Sequence, residues 1–170
     1  MIVDTGISTY SAGPSRLLER STEAHNTVVI NNTNSSEVWG NFRVGNRAKI
    51  TQICEGDNYI QASHNGYKRI SSIHSRKWVC DDELILIEDT IDALREIKSD
   101  AYLHFHPDVK IETSNKSIQI NSMLEITFLG ATNFRIIEYD YCSSFNHTKR
   151  AQCVKVSFFK SLKTFIKIYQ

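Results

Sequence analysis

Apolar and polar residues alternate in short runs along most of the chain, as in RAKITQI (47–53), ELILIED (83–89) and SIQI (117–120). A period of two sends successive side chains to opposite faces, so such runs predict half-buried β-strands. Further runs rich in Ile, Val, Tyr, Phe and Trp predict strands at YIQAS (59–63), KRISSI (68–73), RKWVC (76–80), AYLHFHP (101–107) and VKIET (109–113). LEITFL (124–129), FRIIEYDY (134–141), CVKVSFF (153–159) and LKTFIKIY (162–169) complete the set. Turn-forming residues punctuate them: Gly56-Asp57-Asn58, Asn65-Gly66, Asp81-Asp82, Ser114-Asn115 and Gly130-Ala131. Many short strands at roughly 8–12-residue spacing predict an all-β fold, an antiparallel sandwich or barrel. Only IDALREIKSD (91–100) has a pattern that suits a helical turn.

The front of the chain departs from this pattern. Residues 4–26, DTGISTYSAGPSRLLERSTEAHN, carry little strand periodicity and read as a long irregular segment. Long polar segments with aromatic, basic and His side chains often carry function. The run NNTNSSE (31–37) reads as a loop, and it holds glycosylation-type sequons at Asn31 and Asn34.

The 170 residues fit a single domain, 1–170, with enough chain to bury a sizeable core. Hydrophobic residues make up 41% and charged residues 23%, the balance of a soluble globular protein. A formal net charge of +1 argues against a dedicated nucleic-acid or membrane-surface binder. No stretch approaches the ~18 apolar residues that span a bilayer, and the first residues lack the basic and apolar regions of a secretory signal. Cys54, Cys80, Cys142 and Cys153 follow no metal or redox spacing. They read as buried free thiols in strands, with one disulfide as the alternative in an exported protein.

Several residues could carry chemistry. His25 stands at the start of a strand with Asn26 beside it and Arg20 just before. An imidazole can act as base, acid or donor near neutral pH, and a guanidinium can hold a carboxylate bidentately. In LHFHP (103–107), His104 and His106 are two apart, which on a strand places them on one face. Such a pair is a metal half-site that needs a third ligand; the alternative is two hydrogen-bonded histidines at the end of the fold. His64 precedes Asn65-Gly66, a tight-turn signal that would set it at a loop tip. His74, Arg76 and Lys77 form a basic cluster on one strand, either a solvated face or a contact for an acidic sugar. No Gly-rich phosphate loop, nucleophile elbow or HExxH motif is present.

The blocks VDTGISTY (3–10), RSTEAHNTVVIN (20–31) and SEVWGNFRVGNRAKI (36–50), followed in order by SHNGYKRISSIHSRKW (63–78) and LHFHPDV (103–109), are similar to the carboxy-terminal domain of the heparinase II/III-like polysaccharide lyases. The arginine–serine–threonine–x–x–histidine–asparagine–threonine block is the most specific part, and the resemblance covers nearly the whole chain. It implies a β-sandwich that follows an amino-terminal (α/α) toroid, with cleavage of uronic-acid-containing polysaccharides, such as heparan sulfate or alginate, by β-elimination between the two domains. It implies that His25 is the sandwich's catalytic contribution, with Arg20 and Tyr10 as substrate contacts; Asn26, as an amide donor beside His25, and His64, at its turn, are further candidate substrate contacts from their own positions. No cofactor is implied for the reaction. Some relatives hold a metal in the sandwich, so a structural zinc or calcium at His104 and His106 is an expectation of the same kind. The implied partners are an acidic polysaccharide and a toroid domain or separate toroid chain. The implied location is the periplasm or cell envelope, although this chain shows no signal and a cytoplasmic place stays open. The toroid residues are absent here, which leaves a split gene, a partner chain or an excised piece as accounts. It follows that the isolated chain should have little lyase activity.

Two other classes stay open. One is a non-catalytic carbohydrate-binding or structural sandwich, in which Trp39, Phe42, Tyr67 and Trp78 form either core or a stacking platform. The other is a cupin-like metal enzyme built on His104 and His106.

Overall fold

The computed structural model describes residues 1–114 and 117–169. Twelve strands alternate with turns: β1 (Val28–Ile30), β2 (Glu37–Trp39), β3 (Arg43–Gly45), β4 (Ile50–Gly56), β5 (Tyr59–His64), β6 (Ser72–Cys80), β7 (Leu84–Ala93), β8 (Ser99–His104), β9 (Ile111–Thr113), β10 (Ser117–Ile120), β11 (Leu124–Ser144) and β12 (His147–Ile168). One helix, α1 (Pro14–Glu19), lies in the front segment.

The hairpin of β11 and β12 organises the molecule. Its strands are 21 and 22 residues long, and both bend at one place. There the ladder shifts register between Leu129 and Ala131, Gly130 has φ +90°, and Lys160 has φ +29°. A Cβ on Gly130 would meet the Ser161 carbonyl oxygen at 2.5 Å, so the corner needs glycine for both conformation and space. Beyond the corner, Ser161–Lys167 pair with β7; before it, Cys153–Phe158 pair with β8. The hairpin therefore runs through two antiparallel layers. One has the order β4-β5-β6-β7-β12-β11-β10-β9; the other is formed by the far halves of β11 and β12 with β8 and β1. This is the all-β sandwich, made by strands that change sheet at a bulge.

The alternation seen in the sequence explains the core. Ile87, Ile91, Ile118, Ile120, Ile126 and Ile166 from the large sheet meet Val28, Ile30, Leu103, Val154, Val156 and Phe158 from the small one. Full burial of such a side chain stabilises by about 1.5–3 kcal/mol. Tyr67 is also fully buried, and its hydroxyl donates to the Val28 carbonyl at 2.5 Å, tying a turn of the large sheet to β1.

Several local expectations are corrected. IDALREIKSD forms no helix: Ile91–Ala93 finish β7, and the helix lies instead at Pro14–Glu19, where Pro sits in the first turn. KRISSI does not begin as a strand, because Lys68–Ile70 form a 3₁₀ turn that ends on Ser71 in the left-handed region. The paired runs at 124–129 and 134–141, and at 153–159 and 162–169, are two long strands rather than four short ones. Gly130-Ala131 is a corner within a strand and not a turn. Of the Ser114-Asn115 turn, Asn115 lies outside the described residues. All four cysteines are free; Cys142 and Cys153 are buried as expected, but Cys54 and Cys80 are exposed because their strand faces are uncovered.

Candidate functional site around Asp4, His25 and His104

The first residues form a strap along the small sheet. Ile2 bridges Phe105, Val3 N–H donates to His104 O at 2.9 Å, and Cys142 N–H donates to Thr5 O at 2.8 Å. Gly6 has φ +79°, and a Cβ there would lie 2.2 Å from the Cys142 carbonyl oxygen. This close approach holds the strap down and brings Asp4 to His25.

His25 follows a 3₁₀ turn at Thr22–Ala24. Its Nδ1 lies 2.7 Å from Asp4 Oδ2, and both side chains are about half exposed. The carboxylate fixes the ring with Nδ1–H as donor. Among the described residues, Nε2 has no hydrogen-bond partner and is left to act on a ligand. Burial raises the Asp4 pKa, but the bonds from His25 and the Gly6 N–H outweigh it and hold the carboxyl below its ordinary value. The pair has the arrangement of an oriented acid–base histidine.

Asn26 is a junction. Its Nδ2 donates to Val3 O at 2.8 Å, and its Oδ1 accepts from the backbone of His104 at 2.7 Å and faces His104 Nδ1 at 3.3 Å. Its side chain thus joins the strap, β1 and β8, and is engaged within the protein. His104 is buried between Tyr102 and Tyr139, and burial pushes its pKa down to about 4 against the opposing pull of Asp4. The ring is neutral at physiological pH.

Behind this runs a buried polar chain. The Gly66 N–H donates to His64 Nδ1 at 3.2 Å, so His64 Nε2 carries the proton and donates to His74 Nδ1 at 3.1 Å. His74 Nε2 then donates to Asp89 Oδ1 at 2.7 Å. Arg76 grips the same carboxylate with Nε at 2.7 Å and Nη2 at 3.0 Å, and its Nη1 donates to the Asn26 carbonyl at 2.5 Å. Burial opposes ionisation of Asp89, but the Arg76 charge and these bonds hold its pKa below the ordinary value. His64 is pushed down to about 4 by burial, His74 and Arg76. The basic cluster on β6 is therefore the support of β1 rather than a solvated face. Lys77 alone points away, over the Tyr59 ring at 4.6 Å.

The other sequence candidates fall as follows. Arg20 donates to the carbonyls of Gly40 at 3.0 Å and Arg43 at 2.9 Å, and holds the β2–β3 hairpin against the front segment. Tyr10 is half exposed and stacks with Phe42 and Phe145, with the Arg16 guanidinium 5.3 Å from its ring. His64 is not at a free loop tip; both ring nitrogens are bonded. His104 and His106 do share a face, as their edge contacts with Tyr139 and Tyr141 on β11 indicate. His106 Nδ1 instead accepts from the Asp108 N–H at 3.3 Å. Among the described residues no group of three His, Cys, Asp or Glu side chains could hold a metal ion, so this pair does not fit a metal centre. Asp4, Asp89 and Arg76 are the parts that sequence reasoning missed or misassigned.

A cleft of about 330 Å³ is lined by Ala24, the residue before His25, and by Thr5, Glu23, Tyr102, His104 and Tyr139 among others. Glu19, Glu138 and Asp140 also line it, against one cation, Arg150. Its lining carries more carboxylates than cations. A more positive hollow lies at the β4–β5 side, where Arg47, Lys68 and Arg69 surround Gly66.

The sequence model of the heparinase II/III-like C-terminal domain matches residues 1–160. The chain belongs to this family. Among solved structures, the heparinase III of the BT4657 gene product superposes with a TM-score of 0.71 at 16% identity, over 99% of this chain and 27% of that one. The heparan sulfate lyase HepC from Pedobacter heparinus gives a TM-score of 0.70 at 15% identity, over 98% and 28%. At these identities the likeness is one of fold. The chain spans little more than a quarter of either lyase. No curated protein matches the sequence.

Proposed function

We propose that this sandwich is the carbohydrate-facing half of a polysaccharide lyase that cleaves uronic-acid-containing chains by β-elimination. The observation that carries the proposal is the Asp4–His25 pair, oriented at one nitrogen and open at the other, within a family whose solved fold relatives include a heparan sulfate lyase.

In β-elimination a base removes the C5 proton of the uronate, the C4–O4 bond breaks, and an acid protonates the departing O4. The proton on C5 is weakly acidic beside an ionised carboxylate, so donors that neutralise the carboxylate lower the barrier. His25 supplies Nε2 for that contact or for proton transfer, with Asp4 holding the ring. Tyr10 is a rim contact for the sugar chain, and Arg20, Asn26 and His64 serve by positioning. The carboxylates that line the cleft do not suit a uronate, so the polymer passes over His25 rather than into the cleft. The scheme uses side chains and no cofactor. An (α/α) toroid, in the same protein or another, supplies the remaining catalytic groups, and the enzyme acts in the periplasm or cell envelope.

The exposed apolar side chains of the front region support such a partner. Tyr10, Leu18, Phe42 and Phe145 are each at least half exposed, and Ile7 and Leu17 lie with them in the front region. The stacked rings of Tyr10, Phe42 and Phe145 form an exposed aromatic patch, and a large exposed apolar patch marks an interaction surface. The same aromatics favour a second reading, a non-catalytic sugar-stacking module. Lyase assay with and without the toroid separates the two: product that needs the toroid and is lost in His25→Ala supports the lyase. Glycan binding without product under either condition supports the module.

A further inference from the structure

The large sheet ends in β4, whose partner strand among the described residues is β5 alone. All seven of its residues are exposed. Its free edge is long, whereas the edge strands β1 and β9 have three residues each. Edge strands are normally blunted by charge, proline or shortness. Between Ile50 and Cys54 this strand has neither a charge nor a proline. The bulge between Ile50 and Gln52 also has a consequence for side-chain direction. Ile50 pairs with His64, Ile53 with Ala62 and Glu55 with Ile60, so Ile50, Ile53 and Ile60 share one face. They are 63%, 59% and 48% exposed, an apolar strip that runs out to the sheet edge.

The charge along this edge is ordered. Arg47 and Lys49 precede the apolar centre, and Glu55 and Asp57 follow it. An antiparallel copy of the same strand would set each basic end against an acidic end, while a parallel copy would set like against like. We infer that the β4 edge is a self-association site, at which a second copy of this chain adds β4 antiparallel about a twofold axis near Gln52 and Ile53. The two large sheets then run on as one, backbone groups of both edges become paired, and the strips of Ile50, Ile53 and Ile60 become continuous. A twofold interface of this kind is self-complementary by construction.

Sedimentation velocity of the purified chain over a concentration series tests this. A reversible monomer–dimer equilibrium is expected. Ile53→Lys places a charge at the centre on an exposed site and should weaken dimerisation by at least about tenfold, with an unchanged circular dichroism spectrum. Arg47→Glu with Lys49→Glu makes an all-acidic edge, and Glu55→Lys with Asp57→Lys an all-basic one. Exposed pairs are each worth about 0.2–1 kcal/mol, so each double variant alone should self-associate about tenfold more weakly. An equimolar mixture should recover a heterodimer. A chain that stays monomeric at all concentrations overturns the inference. So does a dimer insensitive to Ile53→Lys, or one lost on Phe42→Ser, which would place the contact on the front face. The result is independent of lyase activity, so neither conclusion stands in for the other.

Discussion

The Asp89 carboxylate is almost wholly buried and is held by Arg76 at two positions and by His74 at a third. Removing Arg76 as Arg76→Met leaves that charge with the His74 N–H as its donor and strips the Asn26 carbonyl of the Arg76 bond. Breaking one side of a buried pair costs about 3–5 kcal/mol. For a domain of this size ~1 kcal/mol moves Tm by about 2–4 °C, so Tm should fall by roughly 10 °C. A second substitution should then be beneficial. Asp89→Asn removes the uncompensated charge but keeps an oxygen for the His74 N–H, so adding it to Arg76→Met should recover about 1–3 kcal/mol. In the wild-type background the same Asp89→Asn should destabilise, because it leaves the guanidinium largely buried and unpaired. Urea titration of the four proteins completes the cycle, followed by the fluorescence of Trp78, whose ring lies 5.8 Å from the Arg76 guanidinium. If Asp89→Asn costs the same in both backgrounds, or Arg76→Met costs under ~1 kcal/mol, the buried chain does not support β1 as argued.

Three further outcomes are expected. His64 and His104 both titrate near 4 in the fold against an ordinary 6.5, so the unfolded chain binds more protons between those values. Stability should be fully present above pH ~6.5 and fall as pH drops toward 4, and the fall should be shallower in His64→Gln; denaturant titrations across this range would show it, and a flat profile would refute it. Gly6→Ala should lower Tm, since its Cβ would meet the Cys142 carbonyl at 2.2 Å in a left-handed backbone, and it should also release Asp4 from His25, seen by NMR as loss of the hydrogen-bonded Nδ1–H signal of His25. Asp4→Asn, which keeps the size but loses the charge, should weaken that hydrogen bond and its NMR signal while leaving the unfolding free energy within about 1 kcal/mol of wild type, because the site is half exposed.

The strand pattern was legible because period-two runs such as ELILIED and SIQI face one packed layer and one more open side. The corner was not. Gly130-Ala131 carries the same local signal as a turn, and only the pairing of β12 with both β7 and β8 shows that the chain continues straight through a change of sheet. The family block around His25 was readable, yet its partner Asp4 lies 21 residues away and meets it only after the strap docks on β8. In the same way, the basic run on β6 read as a solvated face or a sugar contact because Asp89, its counter-charge, becomes its neighbour only through the β6–β7 register. Tyr67 and Trp78 belong with the core as the pattern allowed, while Trp39 and Phe42 are exposed on a hairpin that the sandwich does not cover. Contacts made across the sheet by single polar residues leave no periodic trace, which is why the site's support was harder to read than its fold.

We propose that His25 acts in β-elimination once the second half of the cleft is present. The most direct measurement follows the ultraviolet absorbance of the unsaturated uronate product, with the chain incubated on heparan sulfate, alginate and other uronic-acid polymers, with and without a toroid domain. Product is expected only in the combined protein, with loss in His25→Ala while Tm stays close to wild type. Turnover by the isolated chain, or full activity of the combined protein without His25, would contradict it.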